Sequence, residues 1–212
     1  MAVPGSVNLR NLSGTYNLNK QLSDSTDAAL QMQGIGWLVR QAVKYSNVTL
    51  HVKQVQYTSN PLGHGTVLMK PQFVGEDNLM HIDCEQITTG NIRNLEDRII
   101  DFQWREKDDR IFGKVNGRSR YVQLDEVEDE YLRQGWDEQF LVQEGHQVLQ
   151  IFVESLGKKP NWTAEQVWGF EVVDGSKRHT RRIIVKKGKE EHKLRLVYDW
   201  IVEKDEDADL AY

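Results

Sequence analysis

The clearest chemical pattern in the chain lies near its C-terminal end, where Leu194, Leu196, Tyr198 and Trp200 alternate with Lys193, Arg195, Val197 and Asp199. Successive side chains of a strand point to opposite faces, so one face is apolar with a phenol and an indole while the other carries Arg195. With the apolar face inward, Tyr198 and Trp200 line a cavity or fill a core, and Arg195 is solvated. Ile100, Phe102 and Trp104 form a second apolar face, suited to core packing or to ligand contact. Arg118 and Arg120 share one face of another strand. Two adjacent guanidiniums can hold a carboxylate or enolate bidentately, or can be solvated or pair with the carboxylates of residues 125–130.

His81, Asp83 and Glu85 alternate along one strand face, but a single strand without a companion cluster reads as a polar outer face, and no metal is expected. The other histidines, His51, His64, His146, His179 and His192, are scattered, and no pair has helical metal-ligand spacing. Gly-x-Ser-x-Gly, P-loop, Gly-x-Gly-x-x-Gly and His-Glu-x-x-His are all absent from the sequence. The common hydrolase, phosphate and dinucleotide signatures are therefore missing, no cofactor is expected and no residue stands out as catalytic. Cys84, in phase with Met80 and Ile82, reads as a small buried hydrophobe.

These residues must be positioned by a chain of 212 residues with net charge −5, of which 39% are hydrophobic and 28% charged. Six Trp, seven Tyr and six Phe are enough to build a core. The acidic balance argues against nucleic acid as a partner. Apolar runs as short as Ile151-Phe152-Val153 do not make a membrane helix, so no integral membrane association is expected. One cysteine and an N-terminus without a basic or apolar leader point to the cytoplasm.

Period-two patterns predict strands at 12–20, 48–57, 66–69, 79–88, 98–106, 111–116, 118–122, 167–173, 179–187 and 192–202. Asn116-Gly117, Asp174-Gly175 and Lys187-Gly188 read as hairpin turns. Helices are predicted at 27–33 and 35–45, at the acidic segment 124–132 and at 147–156, so that 124–160 forms a helical insertion. The tail 204–212 carries too much like charge to pack and is expected to be disordered. About ten strands in one meander fit a single mainly-β domain, a closed antiparallel up-and-down barrel with a helix-turn-helix lid, because closure removes exposed sheet edges.

Gly14-Thr15-Tyr16, the run from Leu30 to Arg40 with Gly34 and Gly36, and Val48-Thr49-Leu50-His51-Val52 resemble the opening of the intracellular lipid-binding proteins, the fatty-acid- and retinoid-binding branch of the calycins. The stretch from Glu171 to Trp200 is similar to the closing strands of that family. In phrasing the chain is closer still to a group of lipocalin-like proteins of filamentous fungi. Members that bind carboxylates use an Arg-x-Tyr pair on the last strand, whereas this chain has Arg195 and Tyr198 three apart and therefore on opposite faces.

The first functional reading is a lumen that binds a hydrophobic or amphipathic small molecule, such as a lipid, fatty acid, retinoid-like or polyketide or terpenoid metabolite. Tyr198, Trp200, Trp104 and Phe102 would form its wall, and Trp37 would gate the entrance. Tyr16 either closes the barrel or touches the ligand, and Arg120 and Arg195 are the candidate polar contacts. The second reading is a cofactor-free cyclase or isomerase, which needs preorganisation and one hydrogen-bond donor or general acid; some fungal lipocalin-like proteins resemble that description. The third is a filled barrel whose acidic segment 124–132 docks a protein partner.

Overall fold

The computed structural model describes residues 1–56, 79–89, 92–157 and 161–202. Ten strands form one sheet: β1 (Gly14–Leu18), β2 (Val48–Gln56), β3 (Met80–Thr88), β4 (Ile92–Ile99), β5 (Arg105–Asp109), β6 (Gly113–Gln123), β7 (Gln147–Ser155), β8 (Trp162–Val173), β9 (Ser176–Lys187) and β10 (Glu190–Ile201). Their order is β4-β3-β2-β1-β10-β9-β8-β7-β6-β5, and the paired strands run antiparallel. The sheet curls into a nearly closed barrel with a seam between its edge strands β4 and β5. Side chains lace this seam: Lys107 Nζ donates to Asp97 Oδ1 at 2.7 Å and also reaches the Leu95 carbonyl. Below it, Phe102 N–H donates to the Ser119 carbonyl at 2.8 Å, pinning the β4–β5 connection to β6.

Antiparallel partners share a face, and the register carries the inward choice around the barrel. Leu196 of β10 faces Arg181 of β9, which faces Trp168 of β8, and all three lie on the inner side. The lid consists of α1 (Asp27–Met32) and α2 (Trp37–Tyr45), joined through Gly34 at φ 83° and tied by an Arg40–Asp27 ion pair at 3.4 Å. At the opposite end Val7, Leu9 and Leu12 are buried, and the Leu9 carbonyl accepts from Gln54 Nε2 and Tyr121 Oη, so the N-terminal segment plugs the barrel.

Five expectations are corrected. The expected helix at 147–156 is strand β7, whose two faces are both covered: Leu149 and Ile151 pack in the lumen and Val148 outside. Burial on both faces erases alternation and leaves an apolar run. The helical insertion is therefore shorter, comprising a 3-10 turn (Leu124–Glu126), α3 (Glu130–Arg133) and α4 (Glu138–Gln143). Its Val127, Leu132, Trp136 and Leu141 cover Val122, Val148, Val167 and Ile184 on the outer wall. The acidic stretch 124–132 is not one helix, and Asp129 caps α3 by accepting from Tyr131 N–H at 2.8 Å.

Asn116-Gly117 is not a turn. Both residues lie within β6, paired to β5 on one side and β7 on the other. The turn occurs at 110–112, where Asp109 Oδ1 accepts the N–H groups of Ile111 and Phe112 and Gly113 supplies φ 72°. The expected strand 98–106 is likewise broken, because Phe102 has φ 63° and splits it into β4 and β5. The strand expected at 66–69, Tyr57, His64 and the acidic tail lie outside the described residues.

Candidate ligand-binding site

Under the lid the barrel encloses a cavity of about 660 Å³. Ala29, Leu30, Ile35, Val39 and Val43 of the lid roof it, and Val115, Ala164, Ile183, Val185, Leu194 and Leu196 make apolar walls. Polar groups line it too: Arg181 and Tyr198 enter from β9 and β10, Glu96 and Arg98 from β4, and Arg105, Lys107 and Asp109 border it from β5 at the seam.

Arg181 is 4% exposed and stacks on Trp168, its guanidinium carbon 3.5 Å from the ring centroid. Trp168 is itself fixed, its Nε1–H donating to Gln166 Oε1 at 3.1 Å. Arg181 Nε–H donates to His179 Nε2 at 3.3 Å, and Nη2 approaches Cys84 Sγ at 3.5 Å. His179 Nδ1 lies 3.2 Å from the Gly169 carbonyl. A carbonyl only accepts, so Nδ1 carries the proton and Nε2 is the acceptor for Arg181. Burial, with the Arg181 charge beside it, drives His179 well below its ordinary pKa, which keeps the imidazole neutral.

No carboxylate among the described residues forms an ion pair with Arg181. Glu96 is taken by Arg98 at 2.8 Å. Burial works to raise the Glu96 pKa, but the charges of Arg98 and Arg181 outweigh it and hold the carboxyl below its usual range. Burial pushes the Tyr198 hydroxyl up to about 12, against the opposing pull of Arg181, so it stays protonated. Among the described residues the deep part of the cavity thus presents one cation without a direct ion-pair partner, a protonated phenol and a Glu–Arg pair, beside the charged groups of the seam.

Of the residues singled out in the sequence, Tyr198 borders this cavity from within, and Arg118, His81 and Asp83 border it at the seam side. Trp200 and Tyr16 point inward but pack on each other edge to face, with ring centroids 5.1 Å apart. Both lie toward the plugged end, where Tyr16 Oη donates to the Leu12 carbonyl. Phe102, Trp104 and Arg120 lie on the outer side of the seam, where Trp104 is 42% exposed. Trp37 is 63% exposed on the outside of the lid. Arg195 points out and bonds Glu171 Oε2 at 3.1 Å and the Leu22 carbonyl at 3.3 Å. Arg118 and Arg120 stack on aromatic rings rather than pairing with residues 125–130.

Arg181 is the residue that sequence reasoning missed. It sits in a cationic stretch with Lys177, Arg178 and Arg182, which reads as a solvated face. The usable signal was the phase of β9: Arg181 alternates with Ile183 and Val185, the apolar set, whereas Arg182 falls on the other face.

His81, Asp83 and Glu85 share one face of β3, and among the described residues no group of three His, Cys, Asp or Glu is arranged to hold a metal ion. No described helix is long and apolar enough to cross a membrane.

No family model matches the chain. It is 29% identical over 203 residues to the pericyclase pydY of Acremonium sp, a match that covers 95% of this chain and 97% of the relative. It is also 29% identical to the probable pericyclase scpY of Mollisia scopiformis, covering 94% and 95%. Among solved structures, the apo lipid binding protein 8 of Caenorhabditis elegans superposes with a TM-score of 0.50 at 12% identity, over 92% of this chain and 99% of that one. The barrel, its lid and this likeness give the chain a calycin-like fold.

Proposed function

We propose that the lumen binds a hydrophobic or amphipathic small molecule with one oxygen-bearing polar end, and that the protein is a cofactor-free pericyclase acting in the cytoplasm. The observation that carries this reading is Arg181, a buried, stacked guanidinium that lines the cavity and forms no direct ion pair with a carboxylate among the described residues. Relatives matched over nearly their full length and named as pericyclases support conversion over carriage alone.

The chemistry asks little of side chains. A pericyclic closure exchanges π bonds for σ bonds within one molecule, with no atom gained or lost and no obligatory proton transfer. The walls restrict a flexible polyene to folded conformers in which the reacting carbons meet, which removes much of the entropic barrier. Arg181 donates two N–H groups to a carbonyl or enolate oxygen conjugated with the polyene, and stabilises charge that builds there. Tyr198, protonated throughout the physiological range, supplies a further donor.

The test is conversion. Purified protein is incubated with conjugated polyenes carrying a β-dicarbonyl end, and products are resolved by chiral chromatography. The expected result is an isomer of unchanged mass in excess of one stereochemistry, formed about 100-fold more slowly by Arg181→Gln. Retention of every polyene unchanged would reduce the function to carriage, and failure to bind any would remove the lumen as the site.

A further inference from the structure

The outer lip of the seam carries a second arginine whose Nε–H meets no acceptor among the described residues. Arg118 projects from β6 with its guanidinium carbon 3.9 Å from the Phe102 ring centroid, 4.4 Å from Trp104 and 5.2 Å from Phe152. Arg120 shares the Phe102 ring at 4.2 Å but commits its Nε–H to Gln150 Oε1 at 2.8 Å. By contrast, Arg118 Nε is shut away from solvent and meets no acceptor among the described residues. Stacking holds a guanidinium by its face and leaves the N–H groups along its edge free for a planar anion. Phe102 keeps its ring there at a conformational cost, since φ 63° is unfavourable for a bulky side chain. Arg118 and Gln103 border the same cavity that Arg181 enters.

We propose that Arg118 is a second anion-binding subsite of this cavity, taking a carboxylate at the far end of the molecule whose first polar group sits on Arg181. The inference rests on the lumen being the binding site, and it names the ligand class as a linear apolar chain that is polar at both ends. Arg118 donates two parallel N–H···O bonds to that carboxylate from a guanidinium already held flat by Phe102 and Trp104.

Isothermal titration of hexadecanedioate and palmitate into the full chain, Arg118→Gln and Arg181→Gln tests this. The diacid is expected to bind the unmodified protein about tenfold more tightly than palmitate, Arg118→Gln to abolish that advantage while leaving palmitate unchanged, and Arg181→Gln to weaken both. Arg118→Lys, which keeps the charge and loses the bidentate edge, is expected to fall between. Equal diacid affinity of the unmodified protein and Arg118→Gln overturns the subsite while the lumen reading stands, provided that Arg181→Gln weakens both ligands. If Arg181→Gln changes neither, the lumen reading fails and the subsite fails with it.

Discussion

Arg181 lies over the Trp168 indole with its guanidinium carbon 3.5 Å from the ring centroid, on paired strands whose register places the two residues directly opposite. Stacking supports the cation without spending its edge donors, the neutral His179 takes Nε–H and the Cys84 sulfur is a weak acceptor for Nη2. The buried charge is thereby held in one orientation, with Nη N–H groups left to meet an incoming oxygen. A buried cation without a direct ion-pair partner is costly in an apolar interior. Among the described residues Arg181 has none, since Glu96 is shared with Arg98, and that cost favours a ligand that brings further negative charge.

The His179 imidazole makes stability depend on pH. Its folded pKa is depressed well below 6.5, by burial and then by Arg181. Below about pH 6.5 the unfolded chain binds a proton that the folded one excludes, so the contribution is fully present above that pH and is lost as pH falls toward the folded pKa. Urea denaturation between about pH 7.5 and 5 should show falling stability, and His179→Phe should flatten that part of the profile. An unchanged slope in the variant would mean that His179 is not the group responsible.

Ala164 faces the cavity and is 4% exposed. Ala164→Trp should occupy the lumen with its indole and weaken binding of cis-parinarate more than about tenfold, with the thermal midpoint shifted by only a few degrees because the space is already open. Fluorescence titration and calorimetry on the same sample separate a blocked cavity from a damaged fold.

Gly169 is held small by the insertion. A Cβ there would meet the Trp136 ring at 2.8 and 2.9 Å, and Trp136 is anchored by Nε1–H donating to the Leu132 carbonyl at 2.8 Å. Gly169→Ala should therefore cost about 1–3 kcal/mol of unfolding free energy. Adding Trp136→Leu should recover part of that loss, a coupling that a double-mutant cycle reads directly. Additive losses would show that the insertion does not press on β8 at this point.

How much of this was legible in the sequence followed from how cleanly one face of each element meets water. The β10 alternation placed Leu194, Leu196 and Tyr198 inward, and the paired glycines marked the lid. Asp174-Gly175 took the positive φ pair of a hairpin turn. β7 was illegible because the insertion buries its outer face, so Val148, Leu149 and Ile151 lose the alternation that distinguishes strand from helix. Asn116-Gly117 misled because partners on both sides hold the segment extended, overriding local turn preference. Arg181 was hidden by composition, since a cation in a cationic run looks solvated until the register with Leu196 turns it inward.

The most direct test of the central claim is a fluorescence titration of cis-parinarate and its methyl ester into the unmodified protein and into Arg181→Gln. Both probes are conjugated polyenes of nearly the same shape, and only one carries a charge for the guanidinium. The account predicts that the acid binds about tenfold more tightly than the ester to the unmodified protein and that Arg181→Gln erases the difference. Equal affinities in the unmodified protein, or a preference for the acid that survives in Arg181→Gln, would contradict it.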